Sequence, residues 1–373
     1  MTTLRVVLEQ LIAPSSDAIS QYSAQLASAI VTTAPAGCSV DSIVSAATDD
    51  DVADVRAAVP GLGDVRRSRL ASRELALAWQ FGAVGSAASG LVHSPSLLAP
   101  LRKHSRSSGD QTTVTVHDVL AWTNPSSLTP TAVGWHKAML HRARKHADAV
   151  VVRSHSLAVQ LAEIADFGDR IRVVPGGGRS ELSIPAAAHD RATALGLPSQ
   201  YLLAEGTLDE REGIEAIAEG LERAKIDVPL LILGTDMPTT LPDEQRRAYH
   251  SPLVRFMGGL DAADTAVVLS GAAAFVFPSR EEGFGAPLLD AMRFGVPTVH
   301  SDDPALVELG GGAGLVVDRT SDGDYPDRLA AAIEQVLSDS AFAERLRVAG
   351  SDRSSAFDWQ DAGARIWQLH ADL

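Results

Sequence analysis

Phe277-Pro278-Ser279-Arg280-Glu281-Glu282-Gly283-Phe284-Gly285-Ala286-Pro287-Leu288-Leu289-Asp290-Ala291-Met292 is the stretch that decides the fold. The apolar run 272–277 reads as a buried strand, and it ends in a glycine-bearing turn that carries Glu282. A helical pattern starts behind the turn, and Asp290 follows Glu282 by eight residues. One acid therefore lies in a loop at the carboxyl end of a strand, the other about a turn into the next helix. In open α/β sheets ligands bind at that end. Gly283 and Gly285 allow the backbone to come close to a ligand, and the free N–H groups of a helix start favour an anion.

The same alternation extends in both directions. Apolar runs at 4–8, 39–46, 91–93, 112–117, 149–153 and 172–175 read as strands, with helical spacing over 18–32, 70–81 and 131–147. The triplet Asp49, Asp50, Asp51 reads as an acidic loop, and a polar, alanine-rich stretch over 180–200 reads as a linker. A second set follows, with strands at 201–204, 229–233, 254–257, 274–277, 297–300 and 313–317. Its helices are expected over 213–224, 262–271, 287–293, 325–337 and 341–350. Two blocks of alternating strands and helices imply an α/β protein with two doubly wound parallel sheets.

Composition narrows the function. The chain has 373 residues, 45% of them hydrophobic, enough for two or three domains with real cores. A net charge of −15 argues against nonspecific nucleic-acid binding, which needs basic patches. The single cysteine, Cys38, excludes an internal disulfide and a cysteine-based zinc site, and it fits a reducing cytoplasm. The N-terminus lacks the pattern of a signal peptide and no uncharged apolar run reaches the length of a membrane span.

The stretch 277–292 resembles the E-x7-E motif of the retaining GT-B glycosyltransferases of family four, usually written P-S-x-x-E-G-F-G-x-P-x-x-E-A-M, with Asp290 in place of the second Glu. The likeness extends to Val114-Thr115-Val116-His117-Asp118, to the turn Val173-Val174-Pro175-Gly176-Gly177, and to the stretch 297–308. It therefore covers almost the whole chain. It implies a GT-B architecture of two Rossmann-like domains facing a central cleft. The acceptor-side domain would span 1–182, a linker 183–198 and the nucleotide-sugar domain 199–355. A last helix over 356–373 would cross back to the first domain. The resemblance also implies a metal-independent hexosyltransferase, such as a mannosyltransferase of polysaccharide biosynthesis, that needs no cofactor beyond a UDP-sugar or GDP-mannose donor. A glycan or lipid-linked acceptor and a paired glycosyltransferase are the expected partners, in the cytoplasm or at the inner membrane face.

Residue roles follow from the same resemblance. His117 would sit beside the donor and Glu282 would contact donor-sugar hydroxyls. The backbone of Gly283, Phe284 and Gly285 would approach the sugar or diphosphate, and Asp290 would hold the ribose. His93, at a second strand end, is a candidate acceptor contact. No protein nucleophile is implied, because in such enzymes the leaving diphosphate takes the acceptor's proton. The protein's part is positioning and stabilisation of charge.

The chain departs from the pattern where the diphosphate is held. The second domain opens on Gly206-Thr207-Leu208-Asp209-Glu210-Arg211-Glu212, with Thr207 at the usual Arg and Glu212 at the usual Lys. The first-domain loop reads Asp17-Ala18-Ile19-Ser20-Gln21-Tyr22 where the family has two glycines. Two unit charges about 6 Å apart at an effective dielectric near 20 interact by roughly 3 kcal/mol. Reversing one sign changes the balance by roughly 6 kcal/mol, or about half that after screening. Arg211 and Arg280 are the candidates to take over the phosphate grip. The alternative is a catalytically degenerate homologue that binds a glycan or partners an active transferase. Asp322-Gly323-Asp324 has metal-binding spacing in a turn, and Arg66, Arg67, Arg69 and Arg73 form a basic cluster beside apolar residues.

Overall fold

A computed structural model of the chain describes residues 2–12, 18–234, 236, 249, 251–320 and 324–373. The fold divides into two compact units, residues 1–177 with 358–373, and residues 178–357.

The first unit is built on seven parallel strands: β1 (Thr2–Val7), β2 (Cys38–Val44), β3 (Val65–Arg67), β4 (Leu91–Ser94), β5 (Gln111–Thr115), β6 (Ala149–Val152) and β7 (Ile171–Val173). Their order is β3-β2-β1-β4-β5-β6-β7, and Leu4 of β1 aligns with Val40 on one side and Leu91 on the other. Strand β6, AVVV, is an unbroken apolar run buried along its whole length, as a parallel strand covered on both faces is. Helix Ala18–Thr32 covers one face through Tyr22, Leu26 and Ile30. Helix Trp359–Asp372 packs on it, burying Ile366, Trp367 and Leu369 in the same core, with Trp367 Nε1 donating to the Ile30 carbonyl at 2.8 Å.

The second unit has six parallel strands: β8 (Leu202–Glu205), β9 (Leu230–Leu233), β10 (Val254–Gly258), β11 (Ala274–Phe277), β12 (Thr298–Ser301) and β13 (Leu315–Val317). Their order, β10-β9-β8-β11-β12-β13, reverses between β8 and β11. Helices Ile214–Ala224 and Ala286–Arg293 start just beyond those two strands.

Several local readings change. Asp49–Asp51 form no loop but open the helix Asp49–Ala58. Thr48 Oγ1 accepts from Asp51 N at 3.1 Å and Asp51 Oδ2 accepts from Thr48 N at 2.7 Å, so two orphan donors are satisfied reciprocally. Of the basic cluster, Arg66 and Arg67 belong to the short edge strand β3, which the sequence did not show. The 183–198 segment contains helix Ala188–Ala194, whose Arg191 pairs with Asp264 at 2.6 Å. Leu195 and Leu197 pack against the core of the second unit. Asp17 and the first two residues of the 322–324 motif lie outside the described residues.

Candidate functional site

The strand order reverses between β8 and β11, and in folds of this kind such a reversal marks the ligand-binding crevice at the carboxyl ends of the strands. The loop after β8 supplies Gly206, Arg211 and Glu212, and the loop after β11 supplies Ser279 and Glu282. Gly206 has φ of 150°, and a Cβ there would stand 3.0 Å from Glu212 Oε2. The missing side chain leaves room for the Glu212 carboxylate to fold back against the strand end. Thr207 is exposed, its Oγ1 accepting from Asp209 N at 3.4 Å.

Glu282 is partly buried and held from two sides. Ser279 Oγ donates to its Oε1 at 2.8 Å, and its backbone N–H donates to Asp303 Oδ2 at 3.3 Å. Removal from water pushes the Glu282 carboxyl up to about 8, and the neighbouring Glu212 adds to the shift. Asp303 caps helix Pro304–Gly310 by accepting from Ala305 N and Leu306 N, and burial raises its own pKa. Glu212 is raised too, by burial first, against the opposing pull of Arg211.

The cations nearby are already engaged. Arg211 pairs with Glu212 at 3.1 Å. Arg280 pairs with Glu215 at 3.0 Å and Glu210 at 3.4 Å. Both arginines considered for the phosphate grip thus have carboxylate partners.

Asp290 lies in helix Ala286–Arg293 and is fully buried. Its Oδ1 accepts from Arg179 N at 2.8 Å and its Oδ2 from Arg179 Nε at 2.6 Å. The same guanidinium reaches Glu205 Oε2 at 2.8 Å, which ties the helix to the end of β8. Burial lowers the Arg179 pKa, but Glu205 and Asp290 outweigh it and hold the guanidinium above its ordinary value. No local pattern marks Arg179, which follows the glycine run 176–178 and lies 111 residues from its partner.

Phe284 is a core residue, 4% exposed, in edge contact with Phe357 at 5.8 Å. Gly285 caps the following helix at φ of 89°, and a Cβ there would collide with Leu306. Only Gly283 of this trio is partly exposed.

In the first unit His117 follows β5. Its Nε2 lies 2.7 Å from the Pro95 carbonyl, which fixes that nitrogen as the donor. Tyr22 stands edge-on to it at 4.7 Å, Trp359 packs on Tyr22 at 5.6 Å, and Arg153 lies over Tyr22 at 4.9 Å. His93 is fully buried, with Nδ1 2.8 Å from Thr113 Oγ1. That position removes it from any surface a ligand reaches. Among the described residues no group of three His, Cys, Asp or Glu is arranged to hold a metal ion. No helix among them is long and apolar enough to cross a membrane.

Residues 199–339 match the family described as "Glycosyl transferases group 1". The O-antigen chain mannosyltransferase B of Escherichia coli is 25% identical over 290 residues, covering 73% of this chain and 71% of the relative. The serotype-specific mannosyltransferase WbdA of Escherichia coli is 27% identical over 228 residues, covering 58% of this chain but 28% of that longer protein. The structure of Anabaena Alr3699/HepE in complex with UDP and glucose superposes with a TM-score of 0.75 at 14% identity, covering all of both chains. The chain has the GT-B fold, and residues 199–339 of its second unit match the model of the glycosyl transferases group 1.

Proposed function

We propose that the protein is a retaining glycosyltransferase that moves a hexose from a nucleotide sugar to a glycan or lipid-linked acceptor, without a metal ion. The observation that carries this reading is Glu282, fixed by Ser279 and Asp303 in the loop beyond β11, where the strand order reverses. With its pKa near 8, the Glu282 carboxyl is mostly protonated at neutral pH, so it both donates to and accepts from sugar hydroxyls. The likeness to mannosyltransferases of O-antigen synthesis makes GDP-mannose the first donor to try. His117, with its Nε2 proton directed at Pro95, acts by positioning. Asp290, fully buried against Arg179, acts by holding that guanidinium and helix Ala286–Arg293 in place. Cys38 suits a reducing cytoplasm, where nucleotide sugars are made.

The Arg211–Glu212 pair favours a second reading, a degenerate homologue that partners an active glycosyltransferase. Diphosphate binding requires Arg211 to leave Glu212 and turn to the ligand. Calorimetric titration with UDP and GDP, with and without magnesium, separates the two readings. Micromolar binding of one nucleotide without metal, with turnover abolished in Glu282→Ala, supports the enzyme. Absence of binding at millimolar nucleotide overturns it in favour of the partner.

A further inference from the structure

Three buried polar atoms without partners share one place in the first unit. Its strand order reverses as well, between β1 and β4, and such a reversal marks the carboxyl ends of those strands as a ligand position. The chain leaves β1 through Leu8 into the short helix Glu9–Leu11. Glu9 is 4% exposed, and its Oε2 accepts from Ser45 N, just beyond β2, at 2.6 Å. Its Oε1 is buried with no hydrogen-bond partner, and no cation pairs with Glu9 among the described residues. Gln10 Nε2 donates to Ser96 Oγ, just beyond β4, at 2.7 Å, while Gln10 Oε1 is buried and unpartnered. Ser45 Oγ is the third such atom. Ser96 Oγ accepts from Gln10 Nε2 and from Leu98 N at 3.1 Å, which uses both of its acceptor sites and leaves its proton to be donated.

Buried polar atoms are nearly always paired, because an unpaired one has given up water and received nothing. A single orphan is met by a single water. Here the orphans follow β1 and β2, and the Gln10–Ser96 bond ties them to β4. Neighbouring strands stand about 4.8 Å apart, so the three strand ends together span about 10 Å, the reach of one small ligand. The set is rich in acceptors: a carboxylate oxygen and an amide oxygen, with the Ser96 proton and the two-way Ser45 hydroxyl beside them. A complementary ligand brings several donors, few acceptors and no negative charge, which is the chemistry of sugar hydroxyls. A phosphate brings acceptor oxygens and charge to a buried carboxylate that has no cation beside it.

We infer that Glu9, Gln10, Ser45 and Ser96 form a subsite for an uncharged hexose, the sugar end of the acceptor, and that Glu9 rejects an acceptor phosphorylated on that sugar. This narrows the acceptor to a neutral glycan terminus. Naming the ligand an acceptor rests on the transferase reading above, whereas the sugar-binding chemistry rests on these atoms alone. No residue of the loops after β8 and β11 takes part.

The test is a ligand-observed NMR titration of the full chain with methyl mannoside, methyl glucoside and methyl galactoside, each against its phosphate monoester. Methyl glucosaminide, which carries an ammonium, probes for a cation site. Binding of at least one neutral glycoside is expected, with its phosphate at least about tenfold weaker. Glu9→Gln keeps an oxygen for Ser45 N but removes the charge and turns the other position into a donor. It should weaken the glycoside about tenfold and shrink its preference over the phosphate. A merely structural Glu9 would move the melting temperature and leave that ratio alone. Gln10→Ala spares the Glu9–Ser45 bond and should weaken the glycoside by at least about threefold, and it decides the matter should Glu9→Gln not fold. The inference is overturned by binding of no glycoside, by a phosphate that binds as well as the sugar, or by binding of the glucosaminide alone. An unchanged ratio in Glu9→Gln, or an unchanged affinity in Gln10→Ala, overturns it too. UDP and GDP titrated into the same samples keep the two readings apart. Glycoside binding without nucleotide binding leaves the subsite standing and removes the transferase, and nucleotide binding without glycoside binding does the reverse.

Discussion

Burial shifts a pair of histidines in the first unit and a set of carboxyls in the second in opposite directions. In the first, a polar chain runs from Gln111 Oε1 to His370 Nδ1 at 2.8 Å, from His370 Nε2 to Thr113 Oγ1 at 3.2 Å, and on to His93. Burial, with the other ring close by, drives His93 down to about 3, and burial drives His370 down to about 4. In the second unit burial lifts Glu282 to about 8 and raises Glu205, Glu212 and Asp303. One cause, the loss of hydration by the charged form, acts in both places. The consequences are opposite in pH. Below the ordinary histidine value the unfolded chain takes up protons that folded His93 and His370 refuse, so the first unit weakens as pH falls. Above the ordinary carboxyl value unfolded Glu282 ionises while the folded group does not, so the second unit weakens as pH rises toward 8. The histidine chain joins structural elements, whereas the carboxyls stand at the carboxyl ends of β8, β11 and β12.

The strongest test of this contrast is the pairing of Arg179 with the fully buried Asp290 of the second unit. Arg179→Ala strands Asp290 at 0% exposure, and a loss of about 3–5 kcal/mol in urea unfolding is expected. A loss under about 1 kcal/mol would mean that water reaches the pair. Next comes the acid response of the first unit. Between pH 7 and 5 the two histidines should together remove about 2–4 kcal/mol of stability, and His370→Gln should flatten that slope. A slope unchanged by the substitution would detach the effect from this chain of groups. At the crevice, Glu212→Lys removes the acid that lies against Gly206 and should tighten nucleotide binding about thirtyfold, or roughly 2 kcal/mol. No gain by calorimetry would place the diphosphate away from this loop. The smallest effect belongs to Glu282→Gln, which should stabilise the protein by about 1–2 kcal/mol at pH 8 and change little at pH 5. Equal effects at both values would show that the carboxyl ionises freely.

Much of this was legible in the sequence. Helix Ala18–Thr32 and strand β11 are found where apolar periodicity put them, because both bury a full face. The helix at Asp49–Ala58 was missed although Thr48 and Asp51 have capping-box spacing, because three successive aspartates look like a solvated loop. Strand β3 is three residues long and carries two arginines, as edge strands often do, and so shows no periodicity. The place of Glu282 in the loop between strand β11 and helix Ala286–Arg293 was readable from the motif around it. The Arg179–Asp290 and Arg211–Glu212 pairs were not, since side-chain pairing depends on packing that no local pattern records.

The division of the chain has a consequence for its manufacture. Residues 358–373 complete the first unit, yet the ribosome reaches them only after the whole of 178–357 has been made. At roughly 5–20 residues per second, that interval lasts on the order of 10–40 s. For its duration helix Ala18–Thr32 lacks the cover of Ile366, Trp367 and Leu369. The usual vectorial order is therefore inverted: the segment emerging second is the first able to close its core. The segment emerging first waits with an open apolar face, the interval in which a nascent chain depends most on chaperones.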